Sequence, residues 1–301
     1  MGKIIVIGST NTDMVVSSSK IPKPGETVLG SEFAVIAGGK GANQAVAASR
    51  AGGEVAFVAK VGNDDFGRRT RLAFVENNMS TKNLIIDHEK PSGVAMIIVD
   101  EKTGQNSIVV ASGANGTLSC EDVKNAEKEI KSASVMLVQL ESPIESIKYA
   151  LELAKKHGLT CILNPAPAQE LSDDLLALVD IITPNETETE ILTGTLPTNE
   201  NSTKLGAEKL LGKVGKTVII TLGSKGVFYL SKDGSSGFIE ADTVQAVDTT
   251  AAGDVFNGYL ATMIAGGLLL KDAIRLACKA ATISVTKKGA QPSIPHISDI
   301  I

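Results

Sequence analysis

The run Val247-Asp248-Thr249-Thr250-Ala251-Ala252-Gly253-Asp254 passes directly into the helical pattern Val255-Phe256-Asn257-Gly258-Tyr259-Leu260. A carboxylate therefore falls in the first turn of a helix. Ala251, Ala252 and Gly253 carry almost no side chain, so the first N–H groups and the positive end of the helix dipole stay open to an anion. A phosphate and a base can meet there. Electrostatics alone also favours Asp in a first helical turn, with no chemistry implied.

Other polar groups fall at the ends of strand-like runs. Gly8-Ser9-Thr10-Asn11-Thr12-Asp13 sets Asn11 and Asp13 two residues apart, on one side of an extended chain. An amide and a carboxylate so placed can grip vicinal hydroxyls, although Asn and Asp side chains also build turns. Gly38-Gly39-Lys40-Gly41-Ala42-Asn43-Gln44 reads as a loop entering a helix. Its glycines permit close backbone approach to a ligand, and Lys40 and Asn43 offer donors. It is not a Walker A loop, because Gly-Lys is followed by Gly41 and not by Ser or Thr. Glu141, Asn164 and Asn185 end three further apolar runs. Asn185 and Glu188, three apart at a helix start, suit a water-clad metal or a capping box. Thr221-Leu222-Gly223-Ser224-Lys225-Gly226 can lie against a nucleotide or form a tight turn. His88, His157 and His296 sit in unrelated contexts and suggest neither a triad nor a zinc site.

The elements that must position these groups follow from periodicity. Apolar runs at Ile4–Ile7, Val55–Val61, Val135–Leu140, Thr160–Leu163, Ile181–Thr183 and Val218–Leu222 predict strands. Helical patterns alternate with them at Gly41–Ala51, Phe66–Asn77, Glu121–Ala133, Ile144–His157, Ser202–Val214, Val255–Ala265 and Lys271–Thr286. This layout predicts an α/β fold: a mostly parallel sheet between two helical layers, a three-layer αβα sandwich. Met14–Ala37 and Ser92–Gly113 break the alternation and read as one small sheet built from two distant pieces. The expected division is a core of residues 1–13, 38–91 and 114–301, with a discontinuous β-lid of residues 14–37 and 92–113. Gly93–Val99 is apolar on both alternating faces. Either one face closes over a ligand while the other meets a second subunit, or the strand is buried within its own domain.

At 301 residues with a net charge of −5, the chain lacks the clustered basic surface that nucleic acid demands. Small-molecule partners are expected instead. Cys120, Cys161 and Cys278 have no metal-ligand spacing and fit a reducing, cytoplasmic setting. No stretch approaches the roughly 20 apolar residues that span a bilayer, and no leader-like segment opens the chain, so no membrane partner is expected.

Taken together, Gly8–Asp13, Gly38–Gln44, Pro184–Glu188, Thr221–Gly226 and Asp248–Asp254 resemble the PfkB carbohydrate kinase family, in matching order along essentially the whole chain. The Ala251-Ala252 variant and the tail Lys288–Pro295 are most similar to its ribose-phosphorylating members. The resemblance implies ATP-dependent phosphorylation of D-ribose at the 5-hydroxyl, with Asp254 as general base. The N–H groups around Ala252, Gly253 and Asp254 would hold the transferring phosphoryl. It implies sugar contacts from Asn11, Asp13, Gly39, Lys40, Gly41, Asn43, Glu141 and Asp254. Nucleotide contacts are implied for Asn185, Glu188, Thr221, Gly223, Ser224, Lys225, Gly226 and Gly253. Cys278 falls beside the adenine, where relatives commonly carry Asn or His. Mg²⁺ is implied with ATP. K⁺ is implied as an activator held by Asp248, Thr250, Ser284, Lys287, Gly289 and Ser293. The lid is implied to pair two chains into a homodimer. A same-fold kinase for 2-deoxyribose, fructose or adenosine is the neighbouring reading, and a sugar-binding regulator without catalysis a more distant one. A dinucleotide-dependent dehydrogenase is disfavoured, since no Gly-x-Gly-x-x-Gly turn follows the first strand.

Overall fold

The computed structural model of the chain describes residues 2–300. The outer limits expected for the core, Met1 and Ile301, lie outside the described residues. The strands in chain order are β1 (Lys3–Ile7), β2 (Asn11–Ser18), β3 (Gly30–Gly38), β4 (Glu54–Gly62), β5 (Leu84–Asp87), β6 (Gly93–Asp100), β7 (Asn106–Ala111), β8 (Val135–Val138), β9 (Thr160–Leu163), β10 (Ile181–Ile182), β11 (Thr217–Thr221), β12 (Val227–Ser231) and β13 (Ser236–Ile239). The α-helices are α1 (Lys40–Arg50), α2 (Asp65–Glu76), α3 (Cys120–Asn125), α4 (Glu127–Ser132), α5 (Ile144–Lys156), α6 (Asp173–Leu176), α7 (Glu186–Thr193), α8 (Glu200–Leu211), α9 (Ala252–Ala265) and α10 (Leu270–Ser284).

Nine strands form one sheet in the order β13-β12-β11-β10-β9-β8-β1-β4-β5. β12 runs antiparallel to both its neighbours, and the other pairs are parallel. Alternate residues of a strand enter opposite cores. Ile4 and Val6 pack with α1, α9 and α10, whereas Ile5 and Ile7 pack with α3, α5 and α8. Both faces are thus covered by helices, which is why the strands read as continuous apolar runs. The expected αβα sandwich is observed.

Two expectations change. The pattern Glu121–Ala133 divides at Ala126 into α3 and α4, with Val123 and Ile130 both buried. The lid strands also begin and end deeper than composition suggested: β2 starts at Asn11 and β3 reaches Gly38, so residues 11–13 and 38, expected in the core, belong to the lid sheet. β5 and β13 went unread because edge strands of four residues, only partly buried, show no usable periodicity.

The second sheet has the order β3-β2-β6-β7. Its register sets Asp13, Ile36, Ala95 and Val110 on one face, and Met14, Val35, Met96 and Val109 on the other. Both faces carry exposed apolar groups, Ile108 at 52% on the first and Val109 at 71% on the second.

Between α1 and α9 the backbones approach closely at Gly258. A Cβ there would stand 2.5 Å from the Gln44 carbonyl oxygen and 2.5 Å from the Ala47 Cβ. Thr262 Oγ1 adds a bond to the Ala48 carbonyl, 3.2 Å away. The expected outcome for Gly258→Ala is a loss of about 1–3 kcal/mol, measured by the denaturant midpoint. An unchanged midpoint would contradict this close packing.

Candidate active site

The carboxyl ends of β1, β8, β9, β10 and β11 lie along one edge of the parallel region, and this edge carries Ser9, Gln139, Asn164, Thr183 and Gly223 just beyond the strands or at their ends. Open α/β sheets bind ligands at such an edge. Against it stands the start of α9.

Ala251 precedes α9 with φ 63° and ψ 9°. Among the described residues, only Asn78 shares a positive φ without being glycine. A left-handed alanine costs about 1–3 kcal/mol, so the surrounding packing imposes this turn. The Ala252 N–H is directed to the Thr249 carbonyl at 3.3 Å. The Gly253 and Asp254 N–H groups meet no acceptor among the described residues. A Cβ on Gly253 would touch nothing within 4 Å. Two N–H groups, not three, are therefore free to meet an anion.

Asp254 is only 6% exposed. Its Oδ2 accepts from Asn43 Nδ2 at 3.0 Å and its Oδ1 from Gln44 Nε2 at 2.9 Å. Burial raises its pKa, while Lys40, Asn43 and Gln44 pull the other way and Glu141 adds to the rise. A carboxylate raised in this way is a better proton acceptor.

The residues expected to meet the sugar converge on the same carboxylate. Asp13 is pushed up to about 7 by burial, then by Glu141 and Asp254. Glu141 Oε2 accepts from Ser9 Oγ at 2.5 Å and from the Lys40 N–H at 3.1 Å, tying the ends of β1 and β8 to the start of α1. Asn11 Oδ1 accepts from Asn115 Nδ2 at 2.7 Å, and Asn115 also bonds the Thr10 N–H. Gly39, at φ 89°, and Gly41 let the loop lie on the strand: a Cβ on either would come within 2.6 Å of the Asn11 or Ser9 nitrogen. Asn11, Asp13, Gly39, Lys40, Gly41, Asn43, Glu141 and Asp254 are thus brought together as expected. The buried Asn43 Oδ1 has no partner among the described residues.

A cavity of about 700 Å³ opens on the other side of Asp254. Asn185, Glu188, Thr221, Gly223, Ser224, Gly226, Gly253 and Cys278 line it, together with Lys40 and Asp254. Lys225 is exposed and lies outside this lining, because the turn Gly223–Lys225 directs it to solvent. Asn185 and Glu188 form a reciprocal capping box: Asn185 Oδ1 accepts the Glu188 N–H at 2.8 Å, and Glu188 Oε2 accepts the Asn185 N–H at 2.9 Å. Both still face the cavity. Lys40, which burial would push down, is held up by Asp254, Glu141 and Glu188. Burial and Asp242 push the Cys278 thiol up to about 12, so it meets the cavity as a neutral group. Thr243, Val244, Ala246, Ala281, Thr282 and Val285 complete an apolar stretch that sequence reading missed. Single small residues on two distant segments give no motif.

Behind the α9 start, Asp248 Oδ1 accepts the Thr250 N–H at 2.9 Å and Oδ2 the Gly289 N–H at 2.8 Å. Burial would raise its pKa, but these bonds and Lys288 lower it. Two loops are joined by one ionised carboxylate. Ser284 and Ser293 are buried nearby in sequence, and their hydroxyls donate to Ala281 and Ala290 carbonyls. The Thr250, Lys287 and Gly289 carbonyls accept no hydrogen bond among the described residues.

The chain matches the family described as pfkB family carbohydrate kinase over residues 1–297. The chain belongs to this family. A ribokinase of Haemophilus influenzae is 48% identical over 292 residues, covering 97% of this chain and 95% of that one. A deoxyribokinase of Salmonella typhi is 38% identical, covering 98% and 96%. The structure of Arabidopsis thaliana ribokinase complexed with ribose and ATP superposes with a TM-score of 0.91 at 30% identity, covering 99% of this chain and 97% of that one.

The Asp13 environment gives a stability test. Its folded pKa, about 7, lies above the unfolded value of 3.8, so the folded state holds the proton more tightly and loses stability as pH rises from about 4 through about 7. Without ligand, Asp13→Asn should therefore melt progressively higher than the unsubstituted protein across that window, with a constant gap above it. Thermal melts between pH 4 and 9 check this. A gap independent of pH would contradict the assignment.

Proposed function

We propose that this chain catalyses transfer of the γ-phosphoryl group of ATP to the 5-hydroxyl of D-ribose, giving ribose 5-phosphate and ADP. One observation carries the reading. Asp254 stands in the wall between a cluster of hydroxyl-binding side chains and a nucleotide-sized cavity, with two free N–H groups beside it. Asn11, Asp13 and Asn43 hold the sugar hydroxyls. Asp254 takes the 5-hydroxyl proton as that oxygen bonds to the γ-phosphorus and the bond to the ADP oxygen breaks. The Gly253 and Asp254 N–H groups, with Lys40, stabilise charge on the transferring oxygens. The names of the Haemophilus influenzae and Arabidopsis thaliana relatives support the same reaction.

Mg²⁺ would accompany ATP and would supply neutralisation of phosphate charge. The donor set fits it through water: both Glu188 oxygens are engaged by Asn185, at 2.9 and 3.1 Å, leaving lone pairs for water and none of the geometry of a closed carboxylate cage. A K⁺ site formed by Asp248, Thr250, Ser284, Lys287, Gly289 and Ser293 would rest on the unbonded carbonyls, since among the described residues no group of three or more His, Cys, Asp or Glu side chains could hold a metal. Such a cation would steady the turn that carries Ala251. The apolar outer lid face, with Phe33, Met96 and Val109 exposed, supports pairing of two chains, and the inner face with Ile36 and Ile97 supports closure over the sugar. No helix of the described residues is long and apolar enough to cross a membrane. The three free cysteines support a reducing, cytoplasmic setting.

ADP release measured with ribose, 2-deoxyribose, fructose and adenosine tests the substrate. Ribose should give the highest kcat/KM, and K⁺ should raise it above the level in Na⁺. Fructose turnover equal to ribose turnover would sink the assignment, and 2-deoxyribose as the better substrate would move it to the activity named for the Salmonella typhi relative. Asp254→Asn should retain ribose binding by calorimetry yet lose about 10²–10⁴ in kcat, the range of a general base. Near-normal turnover would refute its role.

A further inference from the structure

Beneath the carboxylate runs a continuous chain of buried amide groups. Gln139 Nε2 donates to Gln44 Oε1 at 2.6 Å. Gln44 Nε2 donates to both Asp254 Oδ1, at 2.9 Å, and Asn164 Oδ1, at 3.0 Å. Asn164 Nδ2 donates to the Thr183 carbonyl at 3.3 Å. Thr183 Oγ1 donates to Asn257 Oδ1 at 2.7 Å, and Asn257 Nδ2 to the Gly253 carbonyl at 2.8 Å. Gln44, Gln139, Asn164, Thr183 and Asn257 are all buried, between 0% and 7% exposed.

The direction of this chain is set by its main-chain ends. The Thr183 and Gly253 carbonyls can only accept, so the Asn164 and Asn257 amides must turn their NH₂ groups toward them. The Asn164 oxygen then faces Gln44, which must present its own NH₂ group. Gln44 accordingly shows both N–H bonds to acceptors, one of them the Asp254 carboxylate, and its oxygen faces Gln139. The cost falls on Gln139, whose buried Oε1 has no partner among the described residues. At the other end, holding the Gly253 carbonyl fixes the plane of the Gly253–Asp254 peptide and hence the heading of the free Asp254 N–H.

We infer that Gln44 is a positioning residue for phosphoryl transfer: held by Gln139 and Asn164, it fixes one oxygen of Asp254 so that the carboxylate stays ionised and correctly turned toward the acceptor hydroxyl. Gln44 touches neither substrate nor phosphate by this account, and acts through Asp254 alone. The inference rests on the proposed role of Asp254 as base. The charged groups facing Asp254 are Lys40 of α1, Asp13 of β2, Glu141 beyond β8 and Glu188 of α7. Lys40 favours its ionised form and the three acids oppose it. Against three acids, the neutral donors Asn43 and Gln44 matter.

Gln44→Met keeps the length of the side chain and removes its donors. With ribose and saturating MgATP, its kcat should fall about tenfold or more, with ribose KM held within about threefold. Losing a bond to the ionised form raises the Asp254 pKa, so the acid limb of the kcat–pH profile should move upward by roughly one unit. Gln139→Leu, which contacts neither Asp254 nor substrate, frees Gln44 to rotate and should move the same limb in the same direction by less. An acid limb unmoved in both variants, or a loss confined to KM, overturns the inference. If Gln44→Met fails to fold, judged by circular dichroism and ribose calorimetry, the limb in Gln139→Leu decides alone. Asp254→Asn run alongside separates the two claims: retained turnover there removes the base itself, whereas lost turnover with an unmoved limb in Gln44→Met removes only the positioning role.

Discussion

A carboxylate shut away from water must be matched by donors, and the molecule is arranged around meeting that demand for Asp254. The donors come from α1 and the carboxylate from α9, so the two helices must lie close enough for Asn43 and Gln44 to reach it. Gly258 permits that approach. The first turn of α1 is in turn tied to the sheet through Glu141, which bonds Ser9 and the Lys40 N–H. One packing distance thus sets Asp254, the open turn at the start of α9 and the Gly39–Asn43 segment together. The partial opposition of burial and donors leaves Asp254 raised but not stranded, which suits the proton-accepting role proposed for it.

The lid enters through the same constraint. β2 carries Asn11 and Asp13 into the site from a sheet that is separate from the core, and Asn115 fastens its root by bonding Thr10 and Asn11. The proposed sugar contacts would consequently be shared between the core edge and a separate sheet, whereas the cavity lined by Asn185, Glu188 and Cys278 is built from the core. By the proposed function, closure of the lid would complete the sugar site and exclude water without moving Asp254.

Much of this was legible from residue types. The αβα core followed from continuous apolar runs, Glu141 from the polar group ending one of them, Asp254 from an uncovered helix start and Asn43 from a glycine-rich loop entering a helix. Asn185 and Glu188 form the capping box that their spacing offered and also line the cavity. Lys225 is exposed outside the cavity lining; a six-residue turn read in one dimension does not say which member points inward. The lid boundary was set too late, since Asn11–Asp13 look like the end of one strand but begin another. The amide chain from Gln139 to Asn257 was the least accessible: its members are scattered from residue 44 to residue 257, and only the fold makes them neighbours.

The central claim is that Asp254 and the free N–H groups of Gly253 and Asp254 surround one reacting centre. A crystal structure with ribose, ADP, Mg²⁺ and aluminium fluoride in place of the transferring phosphoryl addresses it most directly. The predicted result places the fluorides about 2.7–3.1 Å from the two N–H nitrogens, with the ribose 5-oxygen between the metal fluoride and Asp254. A fluoride bound away from this turn, or a 5-oxygen out of reach of the Asp254 carboxylate, would contradict the account.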